Sequence, residues 1–170
     1  VHIDLFIQFG LFRYYHLTIR NGSCVGLIGP NGAGKTTLFK CILGLTKTTS
    51  GSIDIYGINT TNNGQINKKN LLLSRKSIGY VPEESIFYEH LSPVEYLELA
   101  GVAIGLSPEI LKLKINTLLR MLHLGKYHDR MIATLSAGNR QRLSIIAAFI
   151  QNPQALLLDE PLNGLDPGGR

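Results

Sequence analysis

Short runs of alternating apolar and polar residues dominate the first part of the chain and predict β-strands. Residues 1–28 contain two such runs with a turn between them, and residues 52–56 alternate in the same way before a glycine. Short apolar runs at 24–28 and 78–81 predict buried strands, and the continuous apolar run at 155–158 is typical of a strand buried on both faces in a parallel sheet. The pattern predicts an α/β fold with a mainly parallel sheet and antiparallel strands at its N-terminus.

The apolar period becomes helical after residue 83, and no strand signal occurs up to residue 134. Residues 92–95, Ser-Pro-Val-Glu, form a capping box with proline at the first helical position, and Ser107 begins a second helix in the same way. We expect one domain over residues 1–170, in which residues 83–134 are an inserted helical subdomain. Residues 1–82 and 135–170 are expected to form the α/β core with its β subdomain.

A glycine-rich loop separates the apolar run at 24–28 from a helical pattern. Residues 29–36 read Gly-Pro-Asn-Gly-Ala-Gly-Lys-Thr and match the phosphate-binding pattern G-x-x-x-x-G-K-[ST]. The glycines let backbone N–H groups form a concave nest for phosphate oxygens, Lys35 can reach the β and γ phosphates, and Thr36 can ligate Mg²⁺. We predict that a nucleoside triphosphate binds here, with the positive end of the helix dipole at its phosphates. The predicted contacts are Asn31, Gly32, Ala33, Gly34, Lys35, Thr36 and Thr37.

The apolar run at 155–158 ends in two acids, Asp159 and Glu160. Acids at the carboxyl end of a parallel strand lie where ligands bind in open α/β sheets. Asp159 can hold Mg²⁺ through water, and Glu160 can orient or deprotonate the water that attacks the γ-phosphate. The alternative is that both acids merely end a strand before Pro161. The phosphate loop at 29–36 favours the catalytic interpretation.

Composition fits a globular domain, with 44% apolar and 17% charged residues. No apolar run approaches the roughly 20 residues that span a bilayer. Cys24 and Cys41 fall in a predicted strand and on a predicted helix face, which indicates reduced core thiols in a cytosolic chain. That buried helix face is predicted from the spacing of Leu38, Cys41, Ile42 and Leu45.

The net charge of +5 comes mainly from basic residues in the first half of the chain. Residues 59–70 contain five Asn and one Gly and predict a hairpin-like loop. Four basic residues lie in this polar stretch or just after it and are predicted to belong to a solvated loop: Lys68, Lys69, Arg75 and Lys76. Neither zinc-ligand spacing nor an aromatic RNA-binding pattern accompanies them, so no nucleic-acid partner is expected.

Residues 135–142, Leu-Ser-Ala-Gly-Asn-Arg-Gln-Arg, resemble the signature sequence of ATP-binding-cassette (ABC) ATPases, L-S-G-G-Q followed by Q-R. Residues 163–166 look like the D-loop of that family, and residues 78–83 look like the segment that ends in its Q-loop. With the phosphate loop and the acidic strand, five motifs stand in family order from about residue 9 to the end of the chain. The fold that the resemblance implies has a P-loop nucleoside triphosphatase core.

The resemblance also implies a dimer of two ABC ATPase subunits that sandwiches two ATP molecules with Mg²⁺. In such a dimer, Ser136 and the backbone N–H of Gly138 face the γ-phosphate bound by the other subunit, which suits a helix N-terminus. Ser136 is equally suited to be an ordinary N-cap. Phe9 resembles the aromatic residue that stacks on adenine, and Phe12, Tyr14 and Tyr15 are alternatives.

Four features depart from the family pattern. The signature has Ala137 and Asn139 where Gly and Gln are commonest, and Asn163 replaces the usual Ser of the D-loop. Glu83 stands where most members have Gln, and we expect it to link the bound Mg²⁺ to the helical subdomain. The switch histidine of the family is absent, so the chain is expected to be truncated at its C-terminus.

These features together predict the nucleotide-binding subunit of an ABC transporter, peripheral at the cytoplasmic face of the membrane and joined to a transmembrane permease. Glu83-Glu84 and residues 163–167 look most like subunits of ABC-2-type exporters. Two alternatives remain at this point. One is a soluble ABC-superfamily ATPase that acts on ribosomes or DNA, and the other is a regulatory module that binds ATP without hydrolysing it. Retention of Lys35 and Glu160 speaks against the second.

Overall fold

The alternating N-terminal segments form an antiparallel sheet, as predicted. The computed structural model describes residues 2–9 and 13–161, and the chain divides into two units, Val1–Arg75 and Lys76–Arg170. The sheet of the first unit has five strands in the order β2-β1-β3-β4-β5. The elements of this unit are β1 His2–Phe9, β2 Arg13–Arg20, α1 Lys35–Ile42, β3 Ser50–Ile55, β4 Ile58–Asn62, β5 Gln65–Ile66 and α2 Lys68–Arg75.

The register of this sheet places a set of aliphatic residues together on one face. Leu5 pairs with Leu17 on β2 and with Ile53 on β3, and Ile3 pairs with Ile55. Leu5, Ile53 and Ile55 are inaccessible to solvent, whereas their neighbours in sequence are half-buried or exposed. This alternation is the reason that the segments form strands with one buried face.

The Asn-rich stretch contains a tight hairpin followed by a helix. Asn63 and Gly64 both have positive φ, at 47° and 74°, which suits a two-residue turn between β4 and β5. The prediction of a solvated loop around Lys68 and Lys69 was wrong, because both residues lie in α2. Leu71 of that helix is buried, and Arg75 at its end donates to the carbonyl of Leu43 at 2.8 Å and 2.5 Å.

The segment 24–28, predicted to be a buried strand, belongs to neither sheet of the described chain. Ile28 is fully exposed and Val25 is 45% exposed. An extended segment obtains its hydrogen bonds and its burial from neighbouring strands, and without them apolar character alone forms no strand. Cys24 is exposed as well, so its prediction as a core thiol was wrong, whereas Cys41 is buried as expected. Burial raises the pKa of the Cys41 thiol to about 11.

Helix α1 buries the predicted face over Leu38, Cys41 and Ile42, but it ends before Leu45. Gly44 adopts a left-handed φ of 63°, and the N–H of Leu45 donates to the carbonyl of Lys40. This is the pattern of a Schellman C-cap, which turns the chain out of the helix. Leu45 is 61% exposed, and the prediction that it lies on the buried face was wrong.

The second unit joins helices to a pair of parallel strands, β6 and β7, whose register runs from Ile78 with Ala155 to Val81 with Leu158. Its helices pack around a core that includes Leu97, Ile115 and Leu143. Within the described residues, no helix combines the length and apolar character needed to cross a membrane. The elements are β6 Ile78–Val81, α3 Pro93–Ala103, α4 Pro108–Met121, 3₁₀ turns Gly125–Tyr127 and Ile132–Thr134, α5 Ala137–Phe149 and β7 Ala155–Leu158.

Several sequence signals in this unit have the expected outcome, and one does not. The capping box is present, since Ser92 and Glu95 exchange both hydrogen bonds at the start of α3. Gly79 lets α5 approach β6 closely, because a Cβ there would lie 2.6 Å from the carbonyl oxygen of Ala148. Strand β7 was predicted to be buried on both faces, but Leu158 is 40% exposed. A strand is buried on both faces only where other elements pack on both sides of its sheet.

Candidate functional site

The loop at 29–36 leads into α1 through two residues in the left-handed region. Gly32 has a φ of 76° and Gly34, the N-cap of α1, has a φ of 99°. Glycine adopts these angles without steric cost, and the chain has glycine at both positions, of which the pattern itself fixes only Gly34. Within the loop, the N–H of Ala33 donates to the carbonyl of Pro30 at 3.1 Å. The backbone is therefore turned back on itself directly before the helix.

Lys35, the first residue of α1, places its ammonium group over this turn. Its Nζ donates to the carbonyl oxygens of Gly29, at 2.8 Å, and Pro30, at 3.3 Å. Carbonyl oxygens carry only partial negative charge, so a phosphate oxygen is a stronger partner for the same ammonium group. Lys35 is thus held where it can exchange backbone acceptors for a phosphate.

The first turn of α1 suits an anion. Its first helical hydrogen bond runs from the N–H of Leu38 to the carbonyl of Gly34 at 2.8 Å, and no acidic residue lies in this turn. The N–H groups before Leu38 have no acceptor within the helix, and the dipole places partial positive charge there. Asn31, Gly32 and Thr37 are exposed, and Ala33, Gly34, Lys35 and Thr36 are half-buried.

Tyr15, one of the aromatic residues considered for stacking on adenine, contacts the phosphate loop instead. Its hydroxyl donates to the carbonyl oxygen of Ala33, inside the loop, at 2.7 Å. Tyr14, the next residue on β2, is 66% exposed. The side chain of Phe9 and all of Phe12 lie outside the described residues.

Asp159 follows β7 and is only 2% exposed. Its N–H continues the sheet by donating to the carbonyl of Val81 at 2.9 Å, and the hydroxyl of Tyr80 donates to its Oδ2 at 3.5 Å. Burial raises the pKa of Tyr80, and the negative charges of Asp159 and, less strongly, Glu83 raise it further. Tyr80 consequently stays a protonated donor to Asp159 at neutral pH.

The two other predicted acids are exposed. Glu160 has a φ of 46°, in the left-handed region, which is uncommon for a residue with a side chain. Such strain is concentrated at functional sites in proteins. Glu83 lies just beyond β6 and Pro82, at the start of the irregular segment that leads to α3.

Ser136 is the N-cap of α5, as its sequence position predicted. Its Oγ accepts a hydrogen bond from the N–H of Asn139 at 3.4 Å, and no acid lies in the first turn. Ser136 is exposed and Gly138 is half-buried. Arg140 ties this helix start to the preceding segments, because it donates to Glu89 at 2.8 Å and to the carbonyl of Ala133 at 3.2 Å.

Two contacts of α5 were not evident in the sequence. Gln141 is buried, and its Nε2 donates to the carbonyl of Pro161, directly after Glu160, at 3.3 Å. Ser85, two residues after Glu83, donates to the hydroxyl of Ser144 at 2.6 Å. The signature helix is therefore hydrogen-bonded to the segments that carry both exposed acids. Only the helical spacing of Gln141 and Ser144, three residues apart, hinted that they share a face.

The residues of the predicted site fall into two groups. The loop and Lys35 belong to the first unit, and Glu83, Ser136, Asp159 and Glu160 belong to the second. The proposed D-loop, residues 163–166, lies outside the described residues. Among the described residues, no cluster of three or more His, Cys, Asp or Glu side chains could hold a metal ion by itself.

The chain has a glycine loop that contacts its own lysine and leads into a helix, and a parallel strand that ends in a buried aspartate. These features are typical of the P-loop nucleoside triphosphatase fold. Comparison with known proteins identifies the family within this fold. A family model described as ABC transporter matches residues 12–163. The chain belongs to this family.

Its relatives are ATP-binding proteins of transporters. The chain is 38% identical over 152 residues to the ABC transporter ATP-binding protein YxlF of Bacillus subtilis (strain 168), covering 89% of this chain and 48% of YxlF. It is 37% identical to the Nod factor export ATP-binding protein I of Rhizobium sp. (strain N33), covering 90% of this chain and 48% of that protein. The chain thus spans about half the length of the curated relatives it matches.

Solved structures agree with the fold. The structure of an ATP-binding subunit of an ABC transporter matches with a TM-score of 0.80 at 31% identity, covering 98% of this chain and 68% of the other. The structure of cbiO1 from Clostridium perfringens, part of the ABC transporter complex cbiONQ, matches with a TM-score of 0.79 at 24% identity, covering 98% and 67%. The predicted fold class is confirmed.

Proposed function

We propose that this chain binds Mg-ATP and hydrolyses it as the nucleotide-binding part of an ABC transporter. The observation that carries the proposal is the contact of Lys35 with the loop carbonyls at the start of α1. That place combines a cation, a turned-back backbone and a helix N-terminus without acids. Together these features suit the binding of a polyanion such as a triphosphate. The phosphates would be bound by residues 31–37, and Phe9 remains our proposed partner for adenine.

The donor set fits Mg²⁺ bound together with a nucleotide. Asp159 is a buried carboxylate whose Tyr80 contact, at 3.5 Å, is long, so it retains capacity to accept. Mg²⁺ in nucleotide sites is held by one or two carboxylates with substrate phosphates, so a cluster of three acids is unnecessary. Thr36, Asp159 and Glu83 would hold the ion, which would neutralise charge on the phosphates.

Glu160 is our candidate for the residue that orients and deprotonates the attacking water. Its exposure leaves the carboxylate accessible, and Gln141 holds the carbonyl of the following residue, Pro161, at 3.3 Å. An ionised carboxylate accepts a proton from water within hydrogen-bond reach. Its strained backbone suits a residue whose position is set by the surrounding fold.

The start of α5 would act on a nucleotide bound by a second ABC ATPase subunit. Ser136 is exposed, and its Oγ caps the helix by accepting a long hydrogen bond of 3.4 Å from the N–H of Asn139. Its O–H could at the same time donate to a phosphate oxygen. The N–H of Gly138 lies in the same turn. The partner can be a second copy of this chain or a related subunit.

The transport role rests on the relatives. Their names include Nod factor export and the bacitracin transport protein BcrA of Bacillus licheniformis, 37% identical over 156 residues. We therefore propose export, with this chain at the cytoplasmic face of a membrane beside a permease. Residues 83–134 would be the helical subdomain that faces the permease. Glu83 would transmit changes at the nucleotide, since Ser85 nearby is hydrogen-bonded to α5.

Substitution of Lys35 tests nucleotide binding directly. Lys35→Ala removes the cation from the loop and should weaken ATP binding about 10- to 100-fold, the size of a lost charge-assisted hydrogen bond. Lys40→Ala is the matched control, because Lys40 is an exposed lysine in the last turn of the same helix. Titration with a fluorescent ATP analogue measures both. Equal affinities in the two variants would refute the assigned site.

A further inference from the structure

Tyr15 reaches the phosphate loop from outside it. It lies on β2 with its side chain half-buried, and its hydroxyl donates to the carbonyl oxygen of Ala33 at 2.7 Å, across 18 positions of sequence. The length is that of a well-formed O–H···O hydrogen bond. Strand β2 is held in the sheet by eight register pairs with β1, so the phenol ring is attached to a rigid element.

The bonded carbonyl determines the direction of the next N–H. Ala33 C=O and Gly34 N–H belong to one trans peptide, and in a trans peptide these two groups point in opposite directions. A donor that holds the carbonyl on the side of β2 therefore turns the N–H of Gly34 away from β2. That N–H belongs to the N-cap residue of α1, at the phosphate-binding end of the helix.

The bond matters because Gly34 is free to rotate. With a φ of 99° and no Cβ, glycine does not fix the peptide that precedes it, and phosphate-binding nests require successive N–H groups to converge. The loop is also tight at this place, since a Cβ on Gly29 would lie 3.2 Å from the Cβ of Ala33. The Tyr15 hydroxyl holds the peptide in one orientation before a ligand arrives.

We infer that Tyr15 is a positioning residue for the phosphate site, preorganising the Ala33–Gly34 peptide for a nucleotide di- or triphosphate, an inference that rests on the proposed ATP-binding function. It acts through the loop backbone and touches no reacting atom. Sequence reasoning considered Tyr15 only for stacking on adenine. The hydrogen bond of its hydroxyl to the loop does not depend on which base the nucleotide carries.

The test compares Tyr15→Phe with Tyr56→Phe in the full-length protein. Both changes remove one hydroxyl from a half-buried tyrosine of the first unit, and only the first removes the bond to the loop. We expect Tyr15→Phe to raise the Kd and KM for Mg-ATP about 3- to 10-fold, the effect of one hydrogen bond, with kcat within about twofold of the parent. Tyr56→Phe should match the parent in all three.

The folded fraction of each variant separates positioning from stability. A tyrosine that only stabilises the fold would raise the apparent Kd and KM by no more than the reciprocal of the folded fraction, and both constants would equal those of the parent after that correction; that result would overturn the inference. Unchanged Kd and KM in Tyr15→Phe would overturn it as well. Circular dichroism at the assay temperature gives the folded fraction of each variant, so partial unfolding of Tyr15→Phe leaves the test decisive. If the parent itself binds no Mg-ATP, the proposed function fails and takes the inference with it.

Discussion

Helices α1 and α5 both begin at predicted anion sites, and they begin in different ways. The N-cap of α1 is Gly34 in the left-handed region, with no side-chain cap. The N-cap of α5 is Ser136 in an extended conformation, whose hydroxyl accepts from the N–H of Asn139. Neither first turn contains an acid, so both dipoles are left uncompensated at that end.

The difference shows which site can act alone. Serine supplies its helix with an acceptor, so the start of α5 is partly satisfied without a ligand. Glycine supplies none, and the start of α1 depends on an external acceptor for its N–H groups. Lys35 and Tyr15 instead hold the loop through its carbonyl groups. We therefore expect the nucleotide to bind first at α1, and the start of α5 to add contacts to a nucleotide that another subunit already holds.

The largest expected effect comes from blocking hydrolysis after both sites have engaged. Glu160→Gln removes the proposed base and should lower ATP turnover by about 10²- to 10⁴-fold while ATP remains bound. If α5 contributes to a nucleotide on another subunit, the variant should accumulate as a dimer with Mg-ATP. Size-exclusion chromatography and phosphate release measure the two consequences. A variant that stays monomeric, or that hydrolyses at the parent rate, would contradict the role of Glu160.

A second prediction separates the capping role of Ser136 from its proposed ligand role. Ser136→Ala and Ser92→Ala each remove a serine N-cap whose hydroxyl accepts a hydrogen bond from the backbone N–H three residues on, at 3.4 Å and 3.3 Å. Each should lower the free energy of unfolding by about 1 kcal/mol. Only Ser136→Ala should also reduce ATPase activity, by about 10-fold or more, because it loses a hydrogen bond to a charged phosphate.

Affinity of the isolated subunit for ATP should not change in Ser136→Ala, since the proposed site for that nucleotide is at the start of α1. Chemical denaturation, ATPase assay and nucleotide titration on the two variants give the comparison. Equal ATPase activities in the two variants would leave Ser136 with a cap and no ligand.

How far the sequence predicted the molecule depended on the range of the interactions. Local signals succeeded, as in the capping box at Ser92, the turn at Gly64 and the N-cap at Ser136. The segment 24–28 failed because an apolar run specifies a preference for burial and not a strand to pair with. Leu45 failed because the apolar period continued past a glycine that ends the helix. The contact of Tyr15 with Ala33 depends on strand register and loop shape together, and no local pattern encodes it.

The smallest expected effect comes from two glycines that share one backbone conformation. Gly32, in the phosphate loop, and Gly22, in the turn after β2, both have a φ of 76°, and a Cβ at either would meet no described atom within 4 Å. Alanine at either position should therefore cost a similar 1–2 kcal/mol of stability, about the strain of a left-handed residue.

Nucleotide binding should distinguish the two variants. In Gly32→Ala the loop can relieve its strain by rotating out of the left-handed region, which turns its N–H groups away from the phosphates, so ATP affinity should fall about 5- to 10-fold. In Gly22→Ala the same relief leaves the loop alone, and affinity should equal that of the parent. Thermal unfolding without nucleotide checks that the two strains match, and calorimetric titration with Mg-ATP measures the difference. An equal loss of affinity in both variants would show that ATP binding responds only to overall stability. The backbone conformation before α1 would then have no special role in binding the phosphates.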